Sequence, residues 1–242
     1  WLQANFDHDF GLNHQHTGWG RWYDSSGNKT LTSGYLSDLT TMGCHVIRVW
    51  LFENMEGLQF SAENQSGTVT GVESGMWTNL DDFMSKCSSR NLYVYWSAFP
   101  APNLTDTTDH FYQTHLSMFT STIVRQSFID NALVPFINRY KNHAALFAID
   151  LMNEPEASVI GNTGNWSNYG VTWTTMTSFL RACRDAIKSV DSTILVSCGS
   201  GWHDSQNIQG GVNSLFGGLG LDFYDFHTYS DNGSIPTFAS LL

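Results

Sequence analysis

Charged residues are scarce in this chain of 242 residues. They make up 14% of it, against about 25% in a typical soluble protein, and 11 Lys and Arg face 22 Asp and Glu. With a net charge of −11 and scattered cations, the chain offers no basic stripe, so nucleic acids and anionic membranes are poor partners. Long apolar runs are also missing. Residues 144–149 form one of the longest, far below the roughly 18 residues that a transmembrane helix needs.

Cysteine is rare as well. The four cysteines, Cys44, Cys87, Cys183 and Cys198, are too far apart for a CxxC metal site, and they permit either three disulfide pairings or free core thiols. No other spacing is typical of a metal or cofactor site, so we expect neither. Five Asn-x-Ser/Thr signals favour a secreted protein. The chain begins at Trp1 without a basic and apolar leader, and we expect a mature or trimmed form.

What the chain does contain is a repeated alternation of short apolar runs, polar loops and amphipathic stretches. The apolar runs predict six strands, at residues 2–6, 45–52, 92–99, 146–152, 193–198 and 221–227. The amphipathic stretches predict helices at residues 32–42, 77–88, 116–140 and 173–190. Nearly continuous apolar strands separated by helices indicate an α/β fold with a parallel sheet that is covered on both faces.

The connections that follow the predicted strands are long, polar and rich in glycine. They cover residues 53–75, 100–114, 156–170 and 200–220. Long loops at one end of a sheet predict a binding face. No linker divides the chain, so we expect residues 1–242 to form one domain. Because only residues 230–242 follow the sixth strand, we predict an incomplete (β/α) TIM-type barrel with about six of eight units in this chain.

The sharpest motif lies where the fourth predicted strand ends. Residues 149–155 read Ile-Asp-Leu-Met-Asn-Glu-Pro, so an apolar strand leads directly into Asn153 and Glu154. A carboxylic acid at a strand end can protonate a leaving oxygen and then act as a base. A second motif, His-Val-Ile-Arg-Val-Trp at residues 45–50, puts Arg48 within an apolar strand, where a buried charge requires a partner.

A third motif, Asp-Phe-His-Thr-Tyr, occupies residues 225–229. Alternation along a strand puts Asp225, His227 and Tyr229 on one face. In this chain order, the three motifs resemble those of clan A retaining glycoside hydrolases, particularly glycoside hydrolase family 5 of the mannanase and cellulase type. The resemblance covers residues 2–232, and its specificity resides in these three segments.

The resemblance implies that Glu154 is the general acid/base and that Asn153 binds the sugar beside the scissile bond. Three further residues are implied to support them: Arg48, His227 and Tyr229. Retaining hydrolysis also requires a nucleophilic carboxylate about 5–5.5 Å from the first. The family carries that glutamate after its seventh strand, and no residue of this chain matches it.

Tryptophan is frequent, with nine residues, and three of them fall at or near predicted strand ends: Trp50, Trp96 and Trp202. Flat apolar rings at these positions would stack on the faces of sugars. Packing in the core explains each of the three equally well.

From the resemblance we expect an O-glycosyl hydrolase that acts on a β-linked polysaccharide, either β-1,4-mannan or β-1,4-glucan. The alternative is a truncated, catalytically impaired barrel that binds carbohydrate, or one that needs a second chain to complete the site. Missing units would leave the first and sixth strands as open edges. Because open edges recruit partners, we also expect a homo-oligomer or a complementing chain.

Overall fold

The fold is built on a parallel sheet. The computed structural model describes residues 3–6, 26–52, 55–62, 66–99, 110–160, 170–201 and 216–227. Its strands are β1 (Gln3–Phe6), β2 (Val46–Trp50), β3 (Leu58–Ala62), β4 (Ser66–Val72), β5 (Tyr93–Ser97), β6 (Leu146–Asn153), β7 (Leu195–Ser200) and β8 (Asp225–Phe226). Six of them form one sheet in the order β1-β2-β5-β6-β7-β8, and every neighbouring pair is parallel. The six predicted strands are thus confirmed.

Helices lie between the successive strands of this sheet from β1 to β7, as the amphipathic stretches predict. They are α1 (Ser26–Thr41), α2 (Ser74–Ser88), α3 (His110–Thr120), α4 (Thr122–Phe128), α5 (Val134–Tyr140) and α6 (Trp173–Val190). The last of these has the predicted bounds. Its apolar side, which includes Phe179, Leu180 and Ile187, is buried in the core.

The helix predicted over residues 116–140 is interrupted twice. Ser121 is extended, and its hydroxyl accepts the N–H of Val124 at 3.3 Å, so a new helix begins there. A π-helical turn, Ile129–Leu133, then separates α4 from α5. Pro135 lies in the first turn of α5, directly after the π-helical turn. Apolar periodicity alone does not reveal such interruptions, because it continues through them.

The region predicted as a loop over residues 53–75 contains an antiparallel hairpin, β3–β4. The hairpin is fastened to the helical layer by two hydrogen bonds. The N–H of Val69 donates to Oγ of Ser127, and Nδ2 of Asn131 donates to the carbonyl of Val69, each at 2.9 Å. Sequence reasoning missed this hairpin because its residues are largely polar or glycine.

The pairing of β6 with β7 slips close to the carboxyl ends of both strands. Asp150 lies opposite Ser97 on β5 and opposite Ser197 on β7, in regular register. Asn153 lies opposite Gly199, so three steps along β6 match two along β7. This mismatch is a β-bulge, which bends the strand and turns the side chains that follow it.

Trp96 lies in the core between the sheet and its helices. Its side chain is 0% exposed, and its ring centroid is 5.8 Å from those of Phe83 on α2 and Phe136 on α5. The predicted stacking of Trp96 on a sugar is therefore wrong. A ring enclosed by helices presents no face to a ligand, and of the two alternatives for this residue core packing applies.

All four cysteines are buried free thiols. Of the two alternatives that their spacing permits, the structure supports free thiols. Burial raises the pKa of Cys183 to about 12, so this thiol resists ionisation. No helix within the described ranges combines the length and the apolar character that crossing a membrane requires.

Replacing Trp96 by alanine is expected to lower the free energy of unfolding by about 3–5 kcal/mol, because it empties a large packed site. Chemical denaturation measures this loss. Tyr93→Ala is the matched control, because Tyr93 belongs to the same strand but is 42% exposed. Tyr93→Ala should lower the free energy of unfolding by much less, and equal losses in the two variants would contradict the placement of Trp96 in the core.

Candidate active site

Glu154 follows β6 in a conformation that non-glycine residues seldom adopt. Its φ of 50° and ψ of 52° lie in the left-handed region, at a cost on the order of 1–3 kcal/mol. Two hydrogen bonds hold this turn. The N–H of Glu154 donates to the carbonyl of Gly199 at 2.7 Å, and that of Asn153 donates to the carbonyl of Phe99 at 2.8 Å. The turn places both side chains at the carboxyl end of the sheet.

The carboxyl group of Glu154 is enclosed and contacts an imidazole. Glu154 is 6% exposed, and its Oε1 lies 2.6 Å from Nδ1 of His227. One proton is shared in this contact: either the imidazole N–H donates to the carboxylate or the carboxylic acid donates to the imidazole. The backbone N–H of His227 donates to the carbonyl of Ser200 at 2.6 Å, which fixes the imidazole beside β7.

Arg48 on β2 is the cation of the site. Its Nη2 donates to Oδ2 of Asp150 and, at 2.9 Å, to Oδ1 of Asn153. Its Cζ lies 5.4 Å from the ring centroid of Trp50 and 5.8 Å from that of Tyr95, distances at which an aromatic face attracts a cation. Burial opposes the charge, yet Asp150 raises the pKa of Arg48 above its usual value. Arg48 is therefore always charged, and it orients the amide of Asn153.

Asp150 is fully buried and uses both of its oxygens. Oδ1 accepts the N–H of Gly199 at 2.9 Å and that of Met152 at 3.2 Å. Oδ2 accepts the hydroxyl of Ser97 at 2.6 Å and Nη2 of Arg48. Its four partners are all donors, which is the arrangement that a buried carboxylate requires.

Asp225 faces both the arginine and the histidine. Its Oδ2 lies 3.9 Å from Nε of Arg48 and 4.0 Å from Nε2 of His227. Burial, and then the negative charge of Asp150, raise the pKa of Asp225, although Arg48 and His227 act in the opposite direction. This carboxyl group therefore holds its proton to higher pH than an exposed aspartate.

The structure brings together four of the predicted site residues, and Trp50 lies beside them against the guanidinium. The four are Arg48, Asn153, Glu154 and His227. Tyr229 and Trp202 lie outside the described residues. Sequence reasoning missed Asp150, although a charge within an apolar run is the same signal that identifies Arg48.

This arrangement at the carboxyl end of the sheet is suited to acid–base chemistry. A buried carboxyl group that shares a proton with an imidazole can give that proton to a ligand oxygen and take it back. The amide of Asn153 has its oxygen engaged by Arg48, which leaves its Nδ2 oriented to donate to a ligand hydroxyl. Within the described ranges, no group of three or more His, Cys, Asp or Glu side chains is arranged to hold a metal ion.

Comparison with known proteins extends the resemblance over nearly the whole chain. Residues 5–237 match the family model for cellulase (glycosyl hydrolase family 5). A mannan endo-1,4-beta-mannosidase of Mytilus edulis is 27% identical over an alignment of 254 residues with its gaps, which covers 93% of this chain and 65% of that protein. A protein of the same name from Cryptopygus antarcticus is 24% identical over an alignment that covers 82% of this chain and 57% of that protein. The chain thus spans about 65% and 57% of the length of these two relatives.

Solved structures show the fold. The β-mannanase of the blue mussel Mytilus edulis superposes with a TM-score of 0.77 at 22% identity, over 94% of this chain and 69% of that one. The β-1,4-mannanase of the sea hare Aplysia kurodai superposes with a TM-score of 0.73 at 26% identity, over 88% of this chain and 67% of that one. The six parallel strands are therefore part of a (β/α)8 barrel, as predicted from the sequence.

Asp225→Asn tests the electrostatics of the site without a substrate. A raised native pKa means that the folded protein binds more protons than the unfolded chain, so Asp225 contributes less stability as pH rises above about 4. The stability of the variant relative to the original protein should therefore increase as pH rises from about 4 through the native pKa. Urea denaturation across this range measures the difference.

Asp191→Asn is the control of opposite sign. The hydroxyl and N–H of Thr193 donate to Asp191 at 2.6 and 2.9 Å and lower its pKa. The stability that this aspartate contributes is complete above the unfolded pKa of about 4 and is lost at lower pH. The difference in stability between this variant and the original protein should stay constant over the pH range in which the difference for Asp225→Asn changes. A constant difference for both variants would contradict the electrostatics assigned to Asp225.

Proposed function

The chain belongs to glycosyl hydrolase family 5, and from this we propose that it hydrolyses β-1,4-linked mannan with Glu154 as general acid and base. The observation that carries the proposal is the contact of 2.6 Å between Glu154 and His227. It places a buried carboxyl group against an imidazole at the carboxyl end of the sheet. Binding faces of this barrel lie at that end.

In the first step, a carboxylate nucleophile attacks C1 while Glu154 protonates the oxygen of the leaving sugar, so a glycosyl–enzyme ester forms as the bond from C1 to that oxygen breaks. In the second step, the resulting carboxylate of Glu154 removes a proton from the water that attacks C1, and the nucleophile leaves C1 as a carboxylate. A retaining reaction also needs a carboxylate nucleophile about 5–5.5 Å away. We assign no residue of this chain to that role.

The substrate is inferred from the relatives. Both curated relatives are named mannan endo-1,4-beta-mannosidase, and the two superposed structures are described as mannanases. We therefore propose internal cleavage of β-1,4-mannan by this chain. The family model is named for cellulase, so β-1,4-glucan is the substrate to test against it.

Other residues of the site receive supporting roles. Asn153 donates Nδ2 to a sugar hydroxyl, while Arg48 holds the amide in place. Trp50 is half-buried, and its ring lines the site beside Arg48. Tyr229 as a supporting residue and Trp202 as a stacking platform stay predictions.

We further propose that residues 1–242 form one incomplete β/α-barrel domain of the catalytic type and that this domain is secreted, which the five glycosylation signals support. A homo-oligomer or a complementing chain stays a prediction, and sedimentation velocity would test it. The alternative of a carbohydrate-binding barrel without turnover is not favoured, because the relatives are named as enzymes and Glu154 has the geometry of an acid.

Glu154→Gln should lower kcat on β-1,4-mannan by about 10²- to 10⁴-fold, because an amide cannot donate the required proton. The release of reducing ends by the purified full-length protein measures the rate. The loss should be smaller on an aryl glycoside whose leaving group departs as a stable phenolate. Undiminished hydrolysis of mannan by the variant would contradict the assignment of Glu154 as general acid and base.

Glu156→Gln is the matched control. Glu156 is 1% exposed and lies two residues further along, where its Oε1 accepts the hydroxyl of Ser200 at 2.6 Å. Glutamine preserves that acceptor, so the variant should keep its activity on mannan. Faster cleavage of β-1,4-glucan than of mannan by the original protein would overturn the substrate but not the role of Glu154.

A further inference from the structure

The bulge that precedes Glu154 is bridged by one side-chain oxygen. A bulge locally disrupts the hydrogen-bond ladder between strands. Here Oδ1 of Asp150 accepts an N–H from each strand: Met152 of β6 at 3.2 Å and Gly199 of β7 at 2.9 Å. The same Gly199 accepts the N–H of Glu154 through its carbonyl at 2.7 Å. Asp150 therefore secures the backbone segment that sets the position of Glu154.

The other oxygen of Asp150 acts on Asn153 through Arg48. Oδ2 binds Nη2 of Arg48, and that nitrogen also donates to Oδ1 of Asn153 at 2.9 Å. Ser97 of β5 donates its hydroxyl to Oδ2 at 2.6 Å and limits the movement of this oxygen. One buried carboxylate thus bridges the bulge and holds the arginine that orients the amide.

We propose that Asp150 is a positioning residue for Asn153 and Glu154, and this rests on the catalytic role proposed for Glu154. Asp150 is 0% exposed, so it cannot touch a substrate and acts through its neighbours. Both oxygens must accept hydrogen bonds. An asparagine would present an NH₂ group to N–H donors on one of its two sides. The replacement would therefore release either the bulge or the arginine.

Asp150→Asn in the full-length protein is the test. A displacement of about 1 Å at a reacting group costs on the order of 100-fold in rate. We expect kcat on β-1,4-mannan to fall by about that factor, with KM little changed, in protein that circular dichroism shows to be folded. A folded variant with the original kcat would overturn the proposal.

Asp222→Asn is the matched control, because Asp222 has the same chemistry at the opposite end of β7. Its Oδ2 accepts the N–H of Val196 at 2.7 Å and lies 2.6 Å from Nζ of Lys188. Replacing a structural carboxylate of this kind should lower the unfolding temperature but leave the kcat of the folded protein unchanged. If Asp150→Asn behaved in the same way, its role would be structural, and the proposal would fail.

Amide hydrogen exchange gives a readout that needs no substrate. Asp150→Asn should accelerate exchange at Met152 of β6 and Gly199 of β7 more than at the other amides of these two strands, whereas Asp222→Asn should not. Unchanged protection at both amides would contradict the bridging role, whatever the activity. If the original protein cleaves no mannan while the exchange changes as expected, the proposed function fails and the bridging of the bulge by Asp150 stands.

Discussion

The buried pair of Arg48 and Asp150 is the interaction on which the rest of the site depends. Arg48 belongs to β2 and Asp150 to β6, with β5 between them, so the pair links three adjacent strands. Neither charge tolerates burial alone, since removing one partner of such a pair costs about 3–5 kcal/mol. Hydrogen bonds from Ser97 and two backbone amides offset the desolvation of the carboxylate. The three strands must therefore keep their register for the charges to be tolerated, and the same register places Asn153 and Glu154.

A second constraint is the space around Glu154. A Cβ atom at Gly199 would lie 3.1 Å from Nη2 of Arg48 and 3.2 Å from Nε2 of His227, and one at Gly201 would lie 2.8 Å from Cγ and Cδ of Glu154. The absence of a side chain at Gly199 on β7, and at Gly201 directly after β7, leaves room for these groups to pack closely. The carbonyl of Gly199 also holds the left-handed turn of Glu154. The glycines and the strained turn are thus parts of a single arrangement.

The strands of this fold can be predicted from the sequence because a strand covered on both faces is largely apolar. The three site motifs can be recognised for the same reason, since their polar residues interrupt or follow such apolar runs. The face of each residue is harder to predict. Alternation shows that Trp96 and Val94 share a face but not that this face meets the helices. The hairpin β3–β4 has few apolar residues to mark it. Asp150 carries a clear signal, a charge within an apolar run, but its partners become identifiable only when the register brings Arg48 and Gly199 beside it.

Negative groups outnumber positive groups in the site. Three carboxyl groups, those of Asp150, Glu154 and Asp225, face one guanidinium and one imidazole, so complete ionisation would leave an excess of buried negative charge. Burial, and then the negative charge of Asp150, raise the pKa of Asp225, so this carboxyl group relieves part of the excess by holding its proton to higher pH. Arg48 is paired most closely with Asp150, which leaves His227 as the second positive partner of the site. Its ring lies 2.6 Å from Glu154 and 4.0 Å from Asp225, so one imidazole faces both of the remaining carboxyl groups. The position of His227 therefore matters to the charge balance of both.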